Sequence, residues 1–220
     1  MAIGKLLLLG ASSPTGQVIA KRAVELGWQV SVYGRRTLPE HSENASITTF
    51  EGALDDEKTL TLAIRGQDVI ISVVGPSSPR ANTDVFVPAY KRIFAIMRAE
   101  GVRRIIALST FSAHDPKDKP YVLRWFLTTM LWAGAYRVWK TIVDIAHTFD
   151  TDGTDLDWTL FRVGFLTNGP PGQVVDGYVG DGKVGMSLKR ADLAEWTLAQ
   201  AAKSPPEYVR AKPGISSSKG

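Results

Sequence analysis

At 220 residues and 24.0 kDa, with 44% hydrophobic and 22% charged residues, the chain is long enough for one domain with a sizeable core and has an ordinary soluble composition. The net charge of +4 and pI near 9.3 come from Lys and Arg scattered among acids, with no block of five or six, a balance that fits an anionic small ligand as well as nucleic acid and decides neither. The absence of cysteine excludes disulfides and thiolate metal sites, and His41, His114 and His147 lack ligand spacing, so no metal is expected.

The chain opens MAIGKLLLLGAS, which imitates a secretory leader, but the apolar stretch is too short for one. It reads instead as a first strand, KLLLLG, running into the turn GASSPTG and a helix over PTGQVIAKRAVELG. A nucleotide-binding turn needs glycines so that the chain can bend and the backbone can approach a pyrophosphate seated on a helix N-terminus. Gly10 and Gly16 meet the first and last of those needs. At the middle position Ser13 precedes Pro14, a hydroxyl N-cap followed by a proline at the first helical residue. Ser12, Ser13 and Thr15 join the two glycines as candidate cofactor contacts, with the Ser13 hydroxyl a candidate donor to phosphate.

The second strand, WQVSVYG, ends in Arg35 and Arg36, where a dinucleotide enzyme meets the adenosine ribose. An acid there would hydrogen-bond the 2′-OH, whereas arginine accommodates a 2′-phosphate, so the pair favours NADP over NAD; the competing reading is a solvated loop pair. ITTFEG, the helix DEKTLTLAIRG, the strand QDVIISVVG, a long helix near VFVPAYKRIFAIMRAEG and the strand VRRIIALST follow. Strands apolar throughout and separated by helices predict a doubly wound parallel α/β sheet of Rossmann-like type. Later come the insert YVLRWFLTTMLWAGAY, a helix near AYRVWKTIVDIAHTF, the strand DWTLFRV, a Gly-rich stretch with short strands and the helix RADLAEWTLAQAA. Arg124 and Arg137 interrupt the apolar insert, leaving it too short to span a membrane. Its Trp125 and Trp132, with Phe165 further on, are candidate walls of a pocket for an aromatic substrate, against the plainer readings of core or dimer face. His114 reads as a solvated loop residue.

GASSPTG, VYGRR, GQDVIISVVG, IIALST and SLKRADLAEW occur here in the order found in atypical short-chain dehydrogenases. The chain resembles their NAD(P)H-binding, NmrA-like branch, which includes biliverdin reductase B and flavin reductase-like proteins. The resemblance, which runs from Ile3 to about Ala202, implies an NADP-binding domain over residues 1–205 with substrate-side elements at about 112–135 and 163–188; the stretch 206–220, ending in small polar residues, reads as a C-terminal tail whose last residues are disordered. It also implies that Val74 and Gly75 lie beside the cofactor and that Ser109 and Thr110 face the nicotinamide. Two departures stand out: Ser13 replaces the usual middle glycine, and Ala53 occupies the place of an adenine-side aspartate, so that either cofactor affinity is reduced or Asp55 serves instead.

Short-chain reductases resemble one another in a Tyr-x-x-x-Lys pair, matched here by Tyr136 and Lys140, four residues apart on one helix face. In that chemistry the tyrosine donates a proton to a carbonyl, the ammonium lowers the tyrosine pKa and holds the ribose, and a hydroxyl such as Thr110 fixes the carbonyl oxygen. Tyr208 and Lys212 match the spacing too, but they lie between prolines and are set aside.

The leading expectation is an NADPH-dependent reductase of a carbonyl or conjugated, aromatic, quinone- or flavin-like small molecule. Two alternatives stay open: an NADP-sensing binding protein without turnover, and a redox-neutral isomerase or cyclase. The expected partner is a small molecule, with no nucleic acid and no membrane span, in a cytoplasmic monomer or homodimer.

Overall fold

Leu6 to Leu9 are wholly buried because the strand they form, β1 (Lys5–Leu9), runs through the middle of a parallel sheet covered on both faces. The computed structural model describes residues 3–36, 38–76, 78, 80 and 82–218. After β1 come α1 (Pro14–Glu25), β2 (Gln29–Gly34), α2 (Pro39–Ser42), β3 (Ile47–Glu51), α3 (Glu57–Ile64), β4 (Val69–Ser72), α4 (Phe86–Ala99) and β5 (Arg104–Thr110). The second half adds α5 (Val122–Gly134), α6 (Tyr136–Asp152), β6 (Asp157–Val163), β7 (Phe165–Thr167), β8 (Val174–Gly177), β9 (Ser187–Lys189), α7 (Arg190–Ala202) and β10 (Gly214–Ser217).

The main sheet has the order β3-β2-β1-β4-β5-β6-β10-β8, parallel except for β8, which runs antiparallel to β10. The Rossmann-like α/β class is therefore the observed one. The chain winds outward from β1 in one direction and from β4 in the other, so a crevice opens where the loops after these two strands diverge. One face buries an aromatic cluster in which Phe149 meets Phe94 edge-on at 4.9 Å and Tyr90 at 5.2 Å. On the opposite face Ile19, Ala20 and Ala23 of α1 join Leu193, Ala194 and Trp196 of α7 in a second core cluster.

Three features depart from the expectations. The insert forms a helix of its own, α5, and PEHS forms the short α2. Residues 206–220 are not merely a tail: Gly214–Ser217 slot between β6 and β8, with Ile215 wholly buried. Residues 219 and 220, expected to be disordered, lie outside the described residues.

The loops after β5 and β8 are tied to the sheet by a buried cation. Arg162, in the last turn of pleat before the end of β6, is fully buried and forms a bidentate pair with Asp118 at 2.6 and 2.7 Å. Two of its remaining three N–H groups donate to Lys212 O at 2.6 Å and Ala113 O at 2.8 Å. Asp118 in turn accepts from the backbone N–H groups of Asp115 and Val179. One guanidinium thus joins β6, the loop after β5, the approach to β10 and the segment after β8. Replacing Arg162 with Met leaves the Asp118 carboxylate buried without its partner, a loss of about 3–5 kcal/mol; urea unfolding is expected to show a midpoint lowered accordingly, and an unchanged midpoint would refute the tie.

Candidate active site

Gly10 ends β1 in a left-handed conformation (φ +87°), which a glycine adopts without strain. A Cβ there would sit 3.1 Å from Val73 Cγ2 and 3.3 Å from the Val73 carbonyl carbon, so the glycine lets the turn after β1 approach the loop after β4 closely. At Gly16 a Cβ would collide with Gly10 O and Ala11 Cα. Ser13 is the N-cap of α1, its Oγ accepting from Gly16 N at 3.0 Å, with Pro14 at the start of the helix as expected. The same hydroxyl donates to Gly10 O at 2.9 Å. That single proton is committed within the turn, so Ser13 shapes the turn and does not offer a hydroxyl donor to a phosphate in this arrangement.

The N–H groups of Ser12 and Thr15, by contrast, have no protein acceptor among the described residues. They stand at the positive end of the 12-residue α1, where an anion is stabilised by unpaired N–H groups and the helix dipole together. The Thr15 side chain is buried and Ser12 is half-buried. Arg35 and Arg36 follow β2 one strand away, both exposed and neither ion-paired to a described residue.

On the other side of the crevice, Val74 and Gly75 are half-buried, and a Cβ at Gly75 would meet nothing within 4 Å. Their loop is held by two hydroxyls that the sequence did not flag. Tyr90 Oη, buried on α4, donates to Val74 O at 2.9 Å and lies 2.9 Å from Ser72 Oγ, which accepts from Val74 N. Burial pushes the Tyr90 phenol up to about 12, so it stays a donor across the physiological range. The only sequence sign was its place among the apolar positions of α4. Across the loop after β3, Tyr33 Oη donates to Ala53 O at 2.6 Å, with its pKa raised to about 12, first by burial and then by Asp56 and Asp55. Ala53 and Asp55 are themselves exposed.

At the end of β5 Ser109 is buried and Thr110 half-buried. Thr110 Oγ1 accepts from Ser112 N at 3.2 Å, which leaves its proton available. Tyr136 begins α6, half exposed, between Trp132 (centroids 6.3 Å, near-perpendicular) and Trp139 (5.8 Å). Its hydroxyl has no partner among the described residues. Lys140, one turn on, is bound to Asp144 at 2.5 Å, and that contact raises its pKa. Trp125, Trp132 and Phe165 are all more than half exposed, so they line no closed pocket in this structure. Tyr208 and Lys212 do not form a helical pair: Tyr208 has φ +50°, and buried Lys212 is paired with Asp150 at 2.7 Å. Among the described residues no cluster of His, Asp or Glu is arranged to hold a metal ion.

A glycine-lined turn with free N–H groups at a helix N-terminus, set at the switch point of a parallel sheet, defines a dinucleotide-binding Rossmann-type protein. The chain belongs to the NAD(P)H-binding family, whose model matches residues 10–204. Its fold matches a short-chain dehydrogenase/reductase from Veillonella parvula with a TM-score of 0.79, at 16% identity over 97% of this chain and 94% of that one. A structure of a Veillonella parvula short-chain dehydrogenase/reductase in complex with NADP gives 0.76 at the same identity and coverage. ChuY, an anaerobillin reductase from Escherichia coli O157:H7, gives 0.76 at 19% identity over 98% of both chains. In sequence, an alignment 107 positions long, covering 44% of this chain and 35% of the other, is 29% identical to a phenylcoumaran benzylic ether reductase of Ginkgo biloba.

Tyr90→Phe removes the donor that holds Val74 O. The expected result is a stability loss of about 1–3 kcal/mol for the unsatisfied carbonyl, accompanied by weaker dinucleotide binding in calorimetry; stability and affinity both equal to wild type would refute a role for this hydroxyl in shaping the crevice.

Proposed function

We propose that the chain is an NADPH-dependent reductase of a carbonyl or conjugated, aromatic small molecule. The observation that carries the reading is the pair of unpartnered N–H groups on Ser12 and Thr15, at the end of a helix entered through Gly10 and adjoining two exposed arginines. A pyrophosphate would take those N–H groups, and Arg35 and Arg36 would grip a 2′-phosphate by charge-assisted hydrogen bonds. Val74 and Gly75 would leave room beside the cofactor, with Ser109 and Thr110 facing the nicotinamide. When bound, NADPH supplies the hydride.

The chain's own residues then have three tasks. Thr110 Oγ1 anchors the acceptor oxygen, its proton being free. Tyr136 Oη delivers a proton to that oxygen as charge develops on it. Lys140 would have to exchange Asp144 for the ribose before it could assist Tyr136. That exchange requirement favours quinone- or flavin-like acceptors, whose reduction needs orientation more than a tyrosine acid. Residues 112–135 and 163–188 form the substrate side of this arrangement, held to the sheet through Arg162.

Calorimetric titration is expected to show NADP bound more tightly than NAD, with Arg35→Ala and Arg36→Ala each lowering NADP affinity by about tenfold or more while NAD is unaffected. Equal wild-type affinity for the two cofactors would sink the phosphate assignment. In turnover assays, Tyr136→Phe should cut kcat on a ketone by about 100-fold or more with little change on a quinone; an unchanged ketone rate would remove Tyr136 from the chemistry.

A further inference from the structure

No described side chain of α5 is buried, although the helix is VLRWFLTTMLWAG. At 100° per residue Val122, Phe126 and Met130 fall in one row, and Trp125 and Trp132 flank it. All five are more than half exposed, and Tyr136 continues the stripe at 50%. An exposed cluster of large apolar side chains of this kind marks an interaction site. Beside them Pro120, Tyr121, Val122, Trp125 and Phe126 border an open concavity of 620 Å³.

The charge of the chain is concentrated at the same place. Between residues 116 and 140 stand Lys117, Lys119, Arg124, Arg137 and Lys140 against one acid, Asp118. This segment alone accounts for the whole net charge of +4, and the rest of the chain is neutral. Asp118 does not offset the surface, because its carboxylate is buried on Arg162. Arg137 pairs with Asp84 and Lys140 with Asp144, but these contacts are solvent-exposed and contribute little. Lys117 and Lys119 are exposed.

Aromatic side chains interleaved with cations suit a surface that is apolar below and anionic above. A second copy of the chain fits poorly, since it would bring two segments of charge +4 together. We propose that α5 and its flanking cations dock the protein on an anionic lipid surface, with Trp125, Phe126, Met130 and Trp132 entering the headgroup region. The helix lies in the plane of the surface; none among the described residues is long and apolar enough to cross a membrane. The inference rests on this face alone and is independent of the reductase reading.

Co-sedimentation of the full chain with phosphatidylserine/phosphatidylcholine vesicles, and with phosphatidylcholine alone, tests it. Binding is expected to the anionic vesicles, weakening at high salt. Trp125→Ala with Phe126→Ala should lower it by about tenfold or more, and Lys117→Gln and Lys119→Gln by about fivefold each, at an unchanged thermal midpoint. Should a variant fold poorly, quenching of wild-type tryptophan fluorescence by brominated phosphatidylserine vesicles is the substitute readout, with quenching expected. Absence of binding or quenching, binding unaltered in a folded aromatic variant, or a dimer that the aromatic variant converts to monomer would overturn the proposal.

Discussion

The buried Arg162 guanidinium is the constraint on which the upper half of the molecule depends. The sheet itself closes without it, since β1 to β5 pack mainly through the apolar side chains of two core clusters. The segments above the C-terminal strand ends share only a small apolar cluster of Phe111, Val179 and Val184. They converge on one planar cation that donates to a carboxylate and two backbone carbonyls. Because Arg162 sits opposite Ser109 in the sheet register, the same contact that orders those segments fixes them relative to the end of β5, where the acceptor oxygen would be held.

The cofactor half is built on a different principle, close backbone approach. Gly10 and Gly16 remove the Cβ atoms that would separate the turn from β4 and from itself. Ser13 occupies the position of a third glycine, but its hydroxyl is spent on Gly10 O and Gly16 N. The turn is therefore stiffened from within, and the N–H groups of Ser12 and Thr15 remain for an anion. The departure at Ser13 strengthens the turn at the cost of one donor. Ser72 and Tyr90 do the corresponding work on the opposite wall.

Much of this was readable from the sequence, for physical reasons. KLLLLG, VIIS and RIIALST each carry an unbroken run of three or four apolar residues, as strands covered on both faces do, and Ser-Pro before a helical period marks a cap. β10 was not readable, because GISS is short and polar and becomes a strand only by pairing with residues about 40 to 50 positions earlier. The helix α5 was obscured because its described large apolar side chains are exposed and mark no face that packs on the sheet, and Arg124, Thr128 and Thr129 interrupt the run. Arg162 stands in DWTLFRV with nothing nearby to say that it is buried, since its partner Asp118 lies 44 residues away. Tyr136 and Lys140 were found by spacing, yet the spacing could not disclose that Asp144 competes for the ammonium.

In the proposed complex a dinucleotide lies across the turn after β1 and the loop after β4, with its adenosine end at the arginines after β2. Amide hydrogen exchange with and without saturating NADP tests it most directly. The account predicts slowed exchange in residues 10–16, 34–36 and 73–75 together; protection elsewhere with these three segments unchanged would contradict it.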